Sequence, residues 1–253
     1  MKTFIKNRDA NDICVLVERP ETSDKLAFVM HGLSGYKEQA HIRAMAEAFL
    51  DNDYTVVTFD TVHTFGESTG GLFEDATVTN YYADLEDVIK WAEIQDWYLE
   101  PFVLCGHSLG GISTALYAEK YPQKVKALAP ISTVVSGKLS LETKVDQLEE
   151  WQKTGIQITM SSDGKREKRL KWSHMEDRLK YDLVTEAEKL TMPVLLIVGE
   201  RDVGTPLEHQ QILYDVLPGK KELHIIQGAE HSFNQATEQQ QLKQLVSTWI
   251  KSL

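Results

Sequence analysis

Ser108 lies in the pentapeptide Gly106-His107-Ser108-Leu109-Gly110, which has the form Gly-x-Ser-x-Gly. The apolar run 102–104 precedes it, and apolar residues at helical spacing follow it. This order predicts a strand, a sharp turn and a helix, with the serine at the turn. Such a turn exposes the hydroxyl at a helix N-terminus, where the helix dipole favours developing negative charge. Ser108 is therefore a candidate nucleophile, although the pentapeptide alone also fits a glycine-rich turn without chemistry.

A serine nucleophile needs a base, which in this kind of turn follows the serine and an acidic residue along the chain. Three later histidines qualify by order: His209, His224 and His231. His209 falls in a helix-like segment and is interpreted as a surface residue, and His224 falls inside a predicted strand. His231 follows that strand in a loop, from which a side chain can reach the serine. The sequence therefore predicts His231 as the base.

The acid that orients the base is expected in the loop 199–206, after the strand 193–198. Glu200 and Asp202 both have the required carboxylate. We prefer Asp202 because it lies further from the end of the strand. The alternative is that Asp202 caps the helix that starts near Pro206, a common use of aspartate.

Two backbone N–H groups are needed to stabilise the oxyanion of an acyl-transfer reaction. The residue after the nucleophile, Leu109, is one expected donor. Leu33 is the other, because it follows the apolar strand 26–30 and the adjacent Gly32 lets the chain turn toward the serine. His31 precedes the serine in the chain, and we expect it to form hydrogen bonds within its own loop.

The elements that must position these residues alternate between strands and helices. Residues 3–8 and 13–19 are predicted to be two edge strands. The buried strands are predicted at 26–30, 54–59, 101–105, 125–129, 193–198 and 222–226, and the helices at 41–50, 81–97 and 238–251. Such alternation predicts a single α/β domain over residues 1–253, with a mostly parallel central sheet and helices on both faces.

Residues 133–189 interrupt the alternation and are predicted to form a small inserted cap at the carboxyl end of the sheet. The segment offers an amphipathic helix at 139–151, a strand at 155–160, a turn at Asp163-Gly164 and a return strand at 165–170. Its large apolar side chains could form a substrate pocket or pack within the cap; they are Trp151, Met160, Trp172 and Met175. We take Met160 and Trp172 as the candidate substrate-binding residues.

Composition limits the possible partners and compartment. The net charge of −11 argues against nucleic acid and against stable association with an anionic membrane. Cys14 and Cys105 both fall in apolar runs typical of buried thiols, and no Cys or His cluster has zinc spacing. The N-terminus becomes polar too early for a signal peptide, and no apolar run could span a bilayer. A cytoplasmic location is the expectation.

Taken together, the motifs His31-Gly32, residues 106–111, residues 199–202 and residues 228–231 resemble the α/β-hydrolase superfamily over essentially the whole chain. Residues 59–60 and 65–68 are similar to its Asp-x-x-Gly-x-Gly-x-Ser loop, although at 61–65 the usual glycine is missing. Residues 70–77 and the short cap resemble bacterial feruloyl and cinnamoyl esterases. The resemblance implies the α/β-hydrolase fold and hydrolysis of carboxylic esters, with no metal or organic cofactor.

These observations predict a serine carboxylesterase that acts on a small-molecule ester through Ser108, Asp202 and His231. Aryl esters of the feruloyl or cinnamoyl type are the candidate substrates that the resemblance implies. A monoacylglycerol lipase and an acyl thioesterase with the same three residues are the alternatives within enzymes. A binding protein that keeps the fold without catalysis is the alternative of another class. The acyl group, the alcohol and the oligomeric state stay open.

Overall fold

The computed structural model describes residues 1–143, 145–161 and 164–253, so that Asp163 of the predicted hairpin turn lies outside the described residues. The strands are β1 (Lys2–Lys6), β2 (Asp12–Glu18), β3 (Leu26–Met30), β4 (Thr55–Phe59), β5 (Phe102–His107), β6 (Val125–Ile131), β7 (Ile156–Met160), β8 (Glu167–Lys171), β9 (Val194–Gly199) and β10 (Lys221–Ile226). The helices are α1 (Ala40–Leu50), α2 (Val78–Ala92), α3 (Leu109–Lys120), α4 (Gly137–Glu142), α5 (Val145–Thr154), α6 (Ser173–Arg178), α7 (Leu207–Val216) and α8 (Ala236–Ile250).

The central sheet has eight strands in the order β1-β2-β4-β3-β5-β6-β9-β10. Strand β2 pairs antiparallel with β1 and β4, and the remaining pairs are parallel. The α/β prediction is therefore confirmed. The prediction of two edge strands is wrong for the second of them, because β2 has a neighbour on each side. Phe59 of β4 pairs with Val15, which fixes β2 inside the sheet.

Two apolar layers cover the sheet, one on each face. Alternate residues of β3 contribute to each layer: Phe28 packs on the side of α2 and α3, and Val29 packs on the side of α1 and α8. Both side chains are fully buried, as expected for a parallel strand covered by helices. Because β4, β3, β5, β6, β9 and β10 run parallel, their carboxyl ends lie along one rim of the sheet.

Helix α2 begins earlier and ends earlier than predicted. Thr77 caps it, since its hydroxyl accepts the Asn80 N–H at 3.1 Å while the Asn80 side chain accepts the Thr77 N–H at 2.8 Å. The sequence pattern extended to Trp97 because that side chain is also buried, but it is buried from a turn after the helix.

Between β6 and β9, residues 133–189 form α4, α5, the hairpin β7-β8 and α6. The single helix predicted at 139–151 is two helices, α4 and α5, and Lys144 between them lies outside the described residues. In the hairpin, Ile156 pairs with Lys171 and Met160 with Glu167. Trp151 of α5 holds the hairpin against α5, because its indole N–H donates to the Leu170 carbonyl at 2.9 Å. In the part of the chain that the structure describes, no helix is long and apolar enough to cross a membrane.

Candidate active site

The predicted turn at Ser108 has the backbone geometry of a nucleophile elbow. Ser108 has φ 56° and ψ −113°, and α3 begins at the next residue. Its N–H donates to the Ile131 carbonyl of β6 at 2.9 Å, which fixes the turn on the sheet. A Cβ on Gly106 would lie 2.3 Å from the Gly110 carbonyl oxygen, so a side chain at Gly106 does not fit. The strand and helix can approach this closely because both positions are glycine.

The structure brings Ser108, His231 and Asp202 together at the rim of the sheet. Nε2 of His231 lies 2.9 Å from Oγ of Ser108, and Nδ1 of His231 lies 2.8 Å from Oδ2 of Asp202. Both distances are within hydrogen-bonding range. A neutral imidazole that donates from Nδ1 to the carboxylate has Nε2 free to accept the serine proton. The arrangement can therefore perform base-assisted nucleophilic attack.

Asp202 is buried and is held in place by its own loop. Its Oδ1 accepts the N–H groups of Gly204 and Thr205, each at 2.9 Å. Burial disfavours the charged carboxylate, but the hydrogen bonds from His231 and Thr205 outweigh it, so the pKa of Asp202 lies below its ordinary value. The carboxylate is thus ionised at neutral pH, as a partner of an imidazolium requires. These contacts precede α7, so the helix-capping alternative does not describe Asp202.

The other sequence candidates lie elsewhere. Glu200 is exposed and accepts the Gly228 N–H at 2.8 Å. His224 of β10 lies 3.0 Å from Glu222. His209 was expected on the surface, but it is buried on α7 with 7% of its surface exposed, because its face of the helix packs inward. None of the three contacts Ser108 within the described chain.

Leu33 and Leu109 lie where oxyanion donors are expected. Leu109 is the first residue of α3, and the first N–H groups of a helix have no intrahelical acceptor. Leu33 lines the same pocket as Ser108, and across the described residues its N–H has no backbone acceptor. A Cβ on Gly32 would lie 2.9 Å from the Ser108 Cβ, so this glycine lets the Leu33 loop approach the elbow.

A buried lysine anchors this loop, and sequence reasoning missed it. The Lys37 side chain is 1% exposed, and its Nζ donates to Asp60 at 2.9 Å and to Glu67 at 2.6 Å. The Lys37 N–H donates to the other Asp60 oxygen at 2.7 Å. Cys14, Asp60 and Glu67 offer ligand atoms within 4.8 Å of one another, but the ammonium group occupies the position of a cation between the two carboxylates.

His31 ties the same loop to the segment after β4. Nε2 of His31 accepts the Thr61 N–H at 3.0 Å, so Nδ1 carries the proton and donates to the Gly32 carbonyl at 2.8 Å. Burial lowers the pKa of His31, which keeps the ring neutral and this tautomer populated. The hydrogen bond to Gly32 agrees with the expectation that His31 bonds within its own loop, and the contact to Thr61 is an additional one that the sequence did not indicate.

Two further histidines, His41 and His107, lie close to His231. His107 Nε2 donates to the His231 carbonyl at 2.8 Å, and the rings of His107 and His41 pack edge to face at 4.5 Å between centroids. Burial lowers the pKa of both, to about 3 for His41. Neutral rings therefore pack beside His231, and they add no competing positive charge. In the sequence, His107 could be linked to the site because it precedes Ser108, whereas nothing indicated His41.

The pocket at Ser108 has a volume of about 500 Å³. The hairpin contributes Lys165, Arg166 and Lys168 to its lining. The two predicted substrate-binding residues, Met160 and Trp172, are not among the described residues that line it. Met160 is 53% exposed on the outer face of the hairpin, and Trp172 is half-buried with its ring 5.5 Å from that of Trp151. Their contact with substrate stays a prediction.

Comparison with known proteins identifies relatives at the level of family and fold. A family model described as "Serine aminopeptidase, S33" matches residues 21–175. Two Escherichia coli proteins, each named "Uncharacterized 31.7 kDa protein in traX-finO intergenic region", are 28% identical over 235 residues, which cover 79% of this chain and 80% of theirs.

Among solved structures, Est1E from Butyrivibrio proteoclasticus with ferulic acid bound has a TM-score of 0.79 at 21% identity, covering 100% of this chain and 98% of that chain. Mouse alpha/beta hydrolase domain-containing protein 10 has a TM-score of 0.81 at 19% identity, covering 100% and 99%. At these identities the likeness shows the fold, which is the α/β-hydrolase fold predicted from the motifs.

Proposed function

Because the chain belongs to the family described as serine aminopeptidase, S33, and is thus an α/β hydrolase, we propose that it is a serine hydrolase of carboxylic esters. The observation that carries the proposal is the continuous hydrogen-bonded path from Ser108 through His231 to Asp202, with distances of 2.9 and 2.8 Å. A binding protein that had lost catalysis has no need for this path.

In the proposed mechanism, His231 takes the proton of Ser108 as the hydroxyl oxygen attacks the ester carbonyl carbon. The N–H groups of Leu33 and Leu109 stabilise the resulting oxyanion. The tetrahedral intermediate collapses, the C–O bond to the alcohol breaks, and His231 donates its proton to the departing alcohol. Water, activated by His231, then releases the acid from the acyl-enzyme and restores Ser108.

The lining of the pocket favours esters over the peptides that the family description implies. An aminopeptidase must bind the protonated α-amino group of its substrate, usually with carboxylates. Among the described residues that line the pocket, none is Asp or Glu. Arg166 and Lys168 place positive charge there instead, which repels an ammonium group.

Aryl esters of the feruloyl type are the proposed subgroup. Phe65 and Phe73 form an aromatic pair 4.5 Å between centroids, and Phe65 lines the pocket. Such a surface suits an aromatic acyl or alcohol group. The solved relative Est1E, with ferulic acid bound, agrees with this choice. We also propose that residues 133–189 act as a small cap over this pocket, with Met160 and Trp172 in contact with substrate.

The cytoplasm is the proposed compartment, since Cys14 and Cys105 are both buried free thiols. The net charge of −11 supports a small-molecule substrate rather than nucleic acid or an anionic membrane surface. The proposed reaction needs no cofactor.

A substrate panel tests the proposed function. Purified protein is assayed on an aryl acetate, a methyl cinnamate ester, a monoacylglycerol, an acyl thioester and an aminoacyl anilide, with Ser108→Ala as control. The expected result is the highest kcat/KM on an aryl ester and a loss on the order of 10⁴-fold or more in Ser108→Ala. A higher kcat/KM on the monoacylglycerol, the thioester or the anilide would assign the site to that chemistry. Activity unchanged in Ser108→Ala would contradict the mechanism.

A further inference from the structure

The hairpin β7-β8 turns a positively charged face toward the pocket. Lys168 pairs with Thr159 across the hairpin and shares a face with Leu170, which is buried against the body at 6% exposure. Because alternate residues of a strand face the same side, Lys168 faces the body of the protein and Arg169 faces away. Arg166 is two residues before Lys168 and also lines the pocket.

Among the residues that the structure describes, no carboxylate forms an ion pair with either of these two positive charges. The ion pairs near the hairpin join Glu167 to Arg169 and Lys171 to Glu74 and Asp75. In the described ranges, neither Arg166 nor Lys168 takes part in an ion pair. The Arg166 guanidinium lies 4.6 Å from the centre of the Phe65 ring, a cation–π contact that holds it in place without cancelling its charge.

The surroundings make this positive charge unusual. The whole chain carries a net charge of −11, yet the described lining of the pocket contains no Asp or Glu. A cleft with charge of one sign and low-dielectric walls concentrates ligands of the opposite sign. An uncharged ester gains nothing from such a cleft, whereas an ester with an anionic group does.

We propose that the substrate carries a carboxylate remote from the ester bond, and that Arg166 and Lys168 bind this carboxylate while Ser108 attacks the ester. This inference rests on the proposed esterase function. Arginine can bind a carboxylate through two parallel N–H donors, and lysine adds a point charge. A pocket of about 500 Å³ is roughly 8 Å across, which leaves room for a spacer of about four carbons between the two groups.

Matched ester pairs test the inference. Mono-4-nitrophenyl adipate is compared with its methyl ester, which places the carboxylate in the acyl part. The acetate ester of 4-hydroxybenzoate is compared with that of methyl 4-hydroxybenzoate, which places it in the alcohol part. The measured quantity is the ratio of kcat/KM for the anionic ester to kcat/KM for the neutral one. The pair with the larger ratio tells which side of the ester carries the recognised carboxylate.

In the wild-type protein we expect a ratio of about ten or more in at least one pair, because a charge-assisted contact is formed only with the anion. Arg166→Gln and Lys168→Gln should each reduce this ratio on the order of tenfold. Arg169→Gln, on the outer face of the same strand, is the matched control and should keep it. Raising the salt concentration to 0.5 M should also lower the ratio, since salt screens partly exposed charges. Ratios near one in both pairs, or ratios unchanged in both variants, would overturn the inference.

Binding to Ser108→Ala separates this inference from the proposed function. Calorimetry measures Kd for the anionic and neutral adipate esters in Ser108→Ala and in Ser108→Ala combined with Arg166→Gln. If the Ser108→Ala variant binds the anion more tightly in a way that depends on Arg166, and the wild-type protein hydrolyses no ester, the carboxylate site is supported and the esterase function is refuted. If the Ser108→Ala variant binds both esters equally, and the wild-type protein hydrolyses neutral esters through Ser108, only the carboxylate site is refuted.

Discussion

Replacing Lys37 by methionine tests how the buried ion pair supports the active-site loop. The Lys37 side chain is 1% exposed, and so is that of its partner Asp60. Methionine fills a similar volume but leaves the Asp60 carboxylate without its counter-ion. Removing one partner of a buried pair costs about 3–5 kcal/mol, because the remaining charge is stranded in a low-dielectric environment.

The structure places the expected loss at the lower end of that range. Asp60 keeps two backbone donors in Lys37→Met, the N–H of residue 37 at 2.7 Å and that of Glu67 at 2.8 Å. Glu67 is 45% exposed and can be hydrated by solvent. We therefore expect a loss of about 3 kcal/mol in the free energy of unfolding, which lowers Tm by about 6–12 °C for a domain of this size.

Activity should fall as well, because Lys37 anchors the loop that carries Leu33, the proposed oxyanion donor. A displacement of about 1 Å at an oxyanion donor can cost up to 10²-fold in rate. Urea unfolding followed by circular dichroism gives the stability, and hydrolysis of a neutral aryl ester gives kcat.

Lys2→Met is the control, because Lys2 also donates a hydrogen bond to Glu67 but is exposed to solvent. The urea midpoint of this variant should equal that of the wild type. The double variant Lys37→Met, Asp60→Asn removes both charges and should recover part of the lost stability. A Lys37→Met protein with wild-type Tm and kcat would refute this account of the loop.

Two further predictions concern a buried carboxyl and the hairpin. Burial raises the pKa of Glu119 from 4.5 to about 8, and its Oε1 has no partner among the described residues. The folded state thus binds the proton more tightly than the unfolded state, so stability should be full below pH 4.5 and fall as the pH rises to 8. At pH 9, Glu119→Gln should be more stable than wild type by up to about 5 kcal/mol, and urea midpoints of the two proteins that are equal at every pH would contradict this prediction. Met160→Ala and Trp172→Ala should lower kcat/KM more for a bulky aryl ester than for a short acetate ester if these residues contact substrate. Equal losses with a lower Tm would instead make them packing residues.

Much of the geometry around Ser108 could be predicted from local sequence, because a parallel sheet brings loops that are distant along the chain to the same rim. The apolar strands at 26–30 and 193–198 are continuous runs, which are typical of a parallel sheet buried on both faces. Their carboxyl ends must lie at one rim, so loops 199–206 and 228–233 had to approach the elbow. Order and position along the chain were therefore sufficient to predict that Ser108, Asp202 and His231 lie close together.

The contacts that sequence reasoning missed depend on pairings across the chain. Lys37 looks like any polar loop residue, and only the tertiary structure shows that Asp60 and Glu67 surround it. The glycine at position 66 was the partial signal in the sequence. The structure explains it, because a Cβ on Gly66 would lie 2.2 Å from the Asp60 Cγ. No pattern in the sequence indicates which glycine faces which carboxylate.

The hairpin shows a different limit of sequence patterns. Ile156, Ile158 and Met160 alternate, and alternation usually predicts that the apolar face is covered. Ile158 and Met160 are instead 52% and 53% exposed, and the face with Lys168 lines the pocket. Apolar residues are not always buried in a short element at the edge of a domain, where a polar pocket is the nearest neighbour.

Covalent labelling of the serine tests the central claim most directly. A fluorophosphonate probe reacts with a serine that is activated by a base and faces an oxyanion site. We predict a single adduct, mapped by mass spectrometry to Ser108, absent in Ser108→Ala and strongly reduced in His231→Ala. Ser113→Ala, a buried serine in the first turns of the same helix, should label like wild type. An adduct on another residue, or labelling that persists in Ser108→Ala, would contradict the assignment of Ser108 as the nucleophile.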